Sequence, residues 1–176
     1  MNPAVVTLHK AKHLLAHVLV AAGIRQWPQA TLGDSGETAT GFYADFGLSC
    51  APDGDELHRL NDEMTRVLRD CRVFRELNLA APEAAEIFQG QPWKLQQVSA
   101  ILETDRRVRC YEIDGVVDVC DCVLKDLREL RTVHPEKFAV VRAWPVVWSD
   151  RGHDILFTRI AGEMFPPPLP CECCPV

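Results

Sequence analysis

The chain has 176 residues, 47% of them hydrophobic, and a formal net charge of −6. This is enough apolar material for one core, so a single domain is expected. The acidic balance argues against a general nucleic-acid binder, which depends on many Lys–phosphate and Arg–phosphate contacts, but leaves room for a basic rim around one RNA end.

Residues 5–23 predict an amphipathic helix, with His9, His13 and His17 one turn apart and Gly23 as its stop. Its apolar run, Leu14 to Gly23, is interrupted by His17 and too short to span a bilayer, so no membrane association is expected. The segment 28–40 is rich in Gly, Thr, Asp and Ser and reads as a loop framing a strand at 41–49. Ala51-Pro52-Asp53-Gly54 signals a turn, and Leu57, Leu60, Met64, Val67 and Leu68 predict a helix over 55–72. A strand around 73–79 precedes a short helix opened by Ala81-Pro82-Glu83.

Beyond Lys94 the pattern turns to strands at 107–113, 115–120, 138–144, 145–149 and 155–160, with Asp114-Gly115 as a hairpin turn. Leu124, Leu127, Leu130 and Val133 predict a helical turn or two within 121–134. The expected class is α+β: one domain with an N-terminal helix, an antiparallel sheet and packed helices. Its bounds are 1–165, and 166–176 is a Pro- and Cys-rich tail. The basic-rim candidates are Arg66, Arg69 and Arg72, and Arg106-Arg107 with Arg109; the plainer reading makes them solvated faces paired with acidic neighbours. Eight cysteines without a secretory signal suit a reducing cytoplasm and free thiols.

His13 and His17, four residues apart on a helix, can point at one small volume, where a distant Asp118 and Cys120 would complete a metal or hydrolytic site. Each has a plainer reading. The His pair is a half-buried helix face, Lys94 a surface lysine beside Trp93, Asp118 a turn cap, and Cys120 a small buried apolar residue.

The order of the motifs resembles the editing domain of threonyl-tRNA synthetases, a module shared in outline with alanyl-tRNA synthetases. The matching residues are His13-Leu-Leu-Ala-His17, Gly41-Phe42-Tyr43 with Asp45-Phe46, Gln91-Pro92-Trp93-Lys94-Leu95, and Asp118-Val119-Cys120, then Trp148 and Arg159-Ile160-Ala161-Gly162. One departure stands out: Leu124 occupies the position of the family's second-motif His, and the stretch between Cys120 and Phe138 is longer than in the family.

The resemblance implies hydrolysis of an amino acid wrongly esterified to the 3′-terminal ribose of tRNA. His13, His17, Lys94 and Asp118 would be catalytic, Phe42 and Tyr43 would face the substrate, and His13, His17 and Cys120 would hold a zinc ion, either labile or absent. Cys122 or His134 would replace the missing His if a fourth ligand exists. The partner implied is a tRNA acceptor end carrying serine or a threonine-like amino acid, met in trans. The rival reading is a binding or aminoacyl-transfer protein of the same fold, altered by the loss of that His.

Overall fold

Between Leu14 and Ala22 the first helix is apolar all round apart from His17, and that decides where this half of it sits. Leu14, Leu15, Ala16, Val18, Leu19, Val20, Ala21 and Ala22 are all buried, as expected of a helix enclosed on every side rather than lying on a surface. The computed structural model describes residues 3–104, 107–120, 133–134, 137–150 and 153–165. In it α1 runs from Pro3 to Gln26, past the stop expected at Gly23. That glycine serves packing instead: a Cβ there would lie 2.3 Å from the Phe46 ring.

The remaining elements follow as β1 (Thr31–Glu37), β2 (Gly41–Gly47), α2 (Gly54–Asp70), β3 (Phe74–Leu79), α3 (Ala81–Ile87), α4 (Pro92–Leu102), β4 (Val108–Ile113), β5 (Val116–Val119), β6 (Phe138–Asp150) and β7 (His153–Met164). They form an antiparallel four-stranded sheet in the order β1-β2-β7-β6 and an antiparallel three-stranded sheet in the order β3-β4-β5. This is the expected single α+β domain. Asp53 caps α2 through a reciprocal pair, accepting from Glu56 N at 2.8 Å while its own N–H donates to Glu56 Oε2 at 3.0 Å. Asp114 and Gly115 both take positive φ, 45° and 89°, and turn the β4–β5 hairpin.

Three expectations change. The segment 28–40 is not all loop, because it contains strand β1. Its glycines are demanded by close approach, since a Cβ on Gly33 would meet Asp45 Cβ at 2.7 Å. Residues after Lys94 continue as helix α4, whose buried positions are Lys94 and Val98, so no apolar stripe announces it. The strands expected at 138–144 and 145–149 are one strand, β6, which carries Pro145 on the edge of the sheet. The helical turns expected within 121–134 fall mostly on residues outside those described, as do Arg106 and the tail 166–176.

Two apolar clusters result. The larger gathers α1, α2 and the inner face of the four-stranded sheet around Phe42, Phe46, Met64 and Ile160. The smaller lies between the three-stranded sheet and α3 and α4, around Phe88, Val98, Val108 and Cys110. The edge strands β1 and β5 meet α1 and α4 where these clusters adjoin.

Candidate functional site

His13 and His17 lie one turn apart on α1, and the helix packs against both β1 and β5. Their rings meet edge to face with centroids 4.9 Å apart. Asp118, near the end of β5, the return strand of the β4–β5 hairpin, lies with its Oδ2 3.0 Å from His17 Nδ1. Cys120, just beyond β5, lies with Sγ 3.0 Å from His13 Nε2, and the two Nε2 atoms are 3.1 Å apart.

Lys94 reaches the same point from α4, its Nζ 2.7 Å from Asp118 Oδ1. The structure therefore brings His13, His17, Lys94, Asp118 and Cys120 into one cluster. Lys94 and Asp118 are 1% and 2% exposed, so the lysine's charge is directed at the carboxylate and not at solvent.

Two further side chains join that were not singled out from the sequence. Ser35 Oγ donates to Asp118 Oδ2 at 2.8 Å. Glu37 Oε1 lies 3.2 Å from His13 Nδ1, and its other oxygen contacts His9 Nδ1. Both come from β1, the strand hidden in a Gly-rich polar segment, and their alternation along it was the available signal.

Each imidazole thus has a carboxylate on Nδ1. A ring that donates its Nδ1–H to a carboxylate presents a lone pair at Nε2. Here two such lone pairs face each other beside a thiol. That arrangement is repulsive until a cation, a proton or a metal ion, lies between them. The donor set, two imidazoles and one thiolate, is the chemistry zinc prefers over magnesium or calcium. Among the described residues, His13, His17 and Cys120 form the cluster able to hold a metal, with ligand atoms all within 4.8 Å of one another. Tetrahedral Zn–N and Zn–S bonds need ligand separations of roughly 3.3–3.6 Å, and the 3.1 Å between the two Nε2 atoms and the 3.0 Å from His13 Nε2 to Cys120 Sγ both fall a little short of that. His134 is exposed and not in this cluster, and Cys122 and Leu124 lie outside the described residues.

Charge follows geometry. Burial by itself would lower the His17 pKa, but the hydrogen bond and charge of Asp118, with Cys120 beside it, raise it from 6.5 to about 9. Burial would raise the Asp118 pKa, yet Lys94 and His17 hold that carboxyl well below the usual range. Burial also pushes the neighbouring Cys110 thiol up to about 12, which leaves it a neutral core group.

These shifts set a pH dependence for the metal-free protein. Because the folded-state pKa of His17 is raised, its contribution is complete below 6.5 and is lost as pH rises through about 9. Urea unfolding in the presence of a chelator should show stability falling across that interval, and His17→Gln should flatten the fall. Equal slopes in the two proteins would remove His17 as the cause.

The two residues expected to face substrate are placed differently. Phe42 is fully buried, edge to face with Phe138 at 6.0 Å, and belongs to the core. Tyr43 points to the opposite face of the sheet, donates to Asp34 Oδ2 at 2.8 Å, and has the Arg159 guanidinium 3.9 Å over its ring. Asp45, Trp148 and Arg159 form a tie across β2, β6 and β7. The guanidinium donates to both Asp45 oxygens at 2.7 and 2.8 Å, and Trp148 Nε1 donates to the same carboxylate at 2.8 Å.

The arginines proposed as a rim are mostly paired. Arg66 contacts Glu63 at 2.5 Å, Arg69 contacts Asp70 at 2.7 Å, and Arg109 contacts Glu76 at 3.1 Å. No helix among the described residues is long and apolar enough to cross a membrane.

No family model matches the chain. It is 27% identical over 159 residues to the threonine–tRNA ligase of Clostridium perfringens strain SM101, an alignment covering 90% of this chain and 24% of the ligase. The threonine–tRNA ligase of Borreliella burgdorferi strain ZS7 is 23% identical over 158 residues, or 90% of this chain and 27% of the ligase. That of Dehalococcoides mccartyi strain CBDB1 is 30% identical over 109 residues, 62% of this chain and 18% of the ligase. The chain spans between about a fifth and a quarter of the length of these relatives and is similar to a domain-sized part of threonine–tRNA ligases.

Proposed function

We propose that this chain is a trans-editing aminoacyl-tRNA deacylase that hydrolyses the ester on mischarged tRNA(Thr), carrying serine or a threonine-like amino acid. The observation that carries the proposal is the convergence of His13 Nε2, His17 Nε2 and Cys120 Sγ, with a carboxylate behind each imidazole. The similarity to threonine–tRNA ligases supplies the substrate class.

In this reading His13 meets the reacting water, because its side chain is 21% exposed whereas that of His17 is 3% exposed. His13 takes a proton as the water oxygen bonds to the ester carbonyl carbon. The tetrahedral adduct then collapses, its bond to the ribose oxygen breaks, and that oxygen takes the proton back from His13. The amino acid leaves as a carboxylate, so one proton per turnover passes to solvent. Asp118 orients His17, and Lys94 acts through Asp118, keeping that carboxylate charged and fixed. Zinc held by His13, His17 and Cys120 would occupy His13 Nε2 and stand in for that nitrogen as the activator of water, supplying a Lewis acid that lowers the pKa of water and polarises the carbonyl.

The decisive assay incubates the protein with tRNA(Thr) charged with serine, threonine or a threonine analogue, and measures amino-acid release. We expect release of serine or of the analogue above the spontaneous rate, and none with His17→Ala. Absence of release from every ester in zinc-supplemented buffer would end the deacylase reading. Retained binding of charged tRNA without release would instead identify the binding protein suggested by Leu124.

Metal content gives a separate expectation. With three ligands from the described residues, zinc should be removable by a chelator, with activity lowered and far-ultraviolet circular dichroism unchanged, since both apolar clusters extend well beyond the site. A zinc that resists chelation, and whose removal unfolds the chain, would mean a closed structural site.

A further inference from the structure

We propose that Glu37 is a positioning residue for His13, and that His9 holds Glu37 in place. Glu37 lies on β1 opposite Phe42, a fully buried residue, so its backbone is anchored to the core. The chain immediately after it is pinned to α1, because Lys12 Nζ donates to the carbonyl oxygens of Thr38 and Ala39. Its side chain is 17% exposed, against 72% for His9. Glu37 is therefore not one of the loosely held surface carboxylates whose ion pairs contribute little.

The consequence falls on His13. Its ring lies at the open side of the cluster, where a half-turn about χ2 would exchange Nδ1 and Nε2. Glu37 Oε1, 3.2 Å from Nδ1, accepts that N–H and selects the orientation in which Nε2 meets His17 Nε2 and Cys120 Sγ. Asp118 does the same for His17. The two carboxylates come from separate sheets, so the matched pair of oriented imidazoles is built from both sides of the cluster. A carboxylate in this position also makes an imidazole a stronger ligand and base. His9, one turn before His13, contacts the other Glu37 oxygen and limits the rotation of the carboxylate.

Full-length wild-type, Glu37→Ala, Glu37→Gln and His9→Ala proteins test this. The first readout is the ¹⁵N NMR signature of the His13 ring in metal-free protein. We expect the Nδ1–H tautomer in the wild type and a tautomer mixture in Glu37→Ala. The second is titration with Co²⁺ alone, followed by its visible absorption. Glu37→Ala should weaken affinity by about 10–100-fold, Glu37→Gln by less because its amide oxygen still accepts the N–H, and His9→Ala by a few-fold.

The third readout, hydrolysis of seryl-tRNA(Thr), rests on the function proposed above. There kcat should fall about tenfold or more in Glu37→Ala, with KM within about twofold. An unchanged His13 tautomer in folded Glu37→Ala would overturn the proposal, as would equal Co²⁺ affinities in the wild type and both Glu37 variants. If the wild type hydrolyses nothing while the tautomer and Co²⁺ readouts shift as expected, the deacylase reading fails and the role of Glu37 stands. If the wild type binds no Co²⁺, the tautomer decides.

Discussion

Replacing Lys94 with methionine should destabilise the protein by about 3–5 kcal/mol, the cost typical of removing one partner from a buried ion pair. The ammonium and the Asp118 carboxylate are 2.7 Å apart with side chains 2% and 4% exposed. Methionine fills most of the lysine's volume, so the effect reports charge rather than a cavity. Asp118 would keep its bonds to Ser35 and His17, but no longer the cation that does most to hold it ionised. Adding Asp118→Asn to the variant should restore part of the loss, because the neutral amide needs no counter-charge. Chemical denaturation of wild type, both single variants and the double variant measures the cycle. A Lys94→Met protein within about 1 kcal/mol of wild type would show that the pair is solvated in solution.

The largest loss of activity is expected from His17→Ala, on the order of 10²–10⁴-fold in kcat, the range for disabling general acid–base catalysis, here by removing the imidazole that backs His13. His17 links the two halves of the cluster, with Nδ1 on Asp118 and Nε2 against His13. Without it the carboxylate no longer acts on the reacting centre, and two ligand atoms remain for a metal. Single-turnover hydrolysis with saturating protein separates this from weaker RNA binding. A rate constant within about tenfold of wild type would exclude His17 from the chemistry and leave it a buried structural residue.

The helical face of His13 and His17 and the Asp114-Gly115 hairpin were readable because each is a local pattern, four-residue spacing in one case and turn chemistry in the other. Asp118 and Cys120 were legible as partners only through the order of motifs, since nothing local joins residues a hundred positions apart. Glu37 and Ser35 were not found. They sit in a segment whose Gly, Ser and Thr content reads as a loop, whereas those glycines are there to let β1 approach β2. Lys94 was seen as a residue but its helix was missed, because the buried side of α4 carries a charge where an apolar stripe would be expected. Tyr43 poses a different problem. Its motif was recognisable, but strand alternation puts it on the far face of the sheet from its neighbour Phe42, and the sequence does not say which face the substrate shares.

The cluster also lies on the seam between the two apolar cores, with α1 and β1 on one side and α4 on the other. Strands β3 and β4 run through both cores, and α4 is further fastened to the larger one by polar groups: Lys94 and Ser35 both hold Asp118. Metal or substrate bound at this clasp would be read far from the chemistry, as slower amide hydrogen exchange in α4. Occupancy would then tie α4 more firmly to the rest of the fold, so that the protein gains resistance to proteolysis in the act of engaging its ligand.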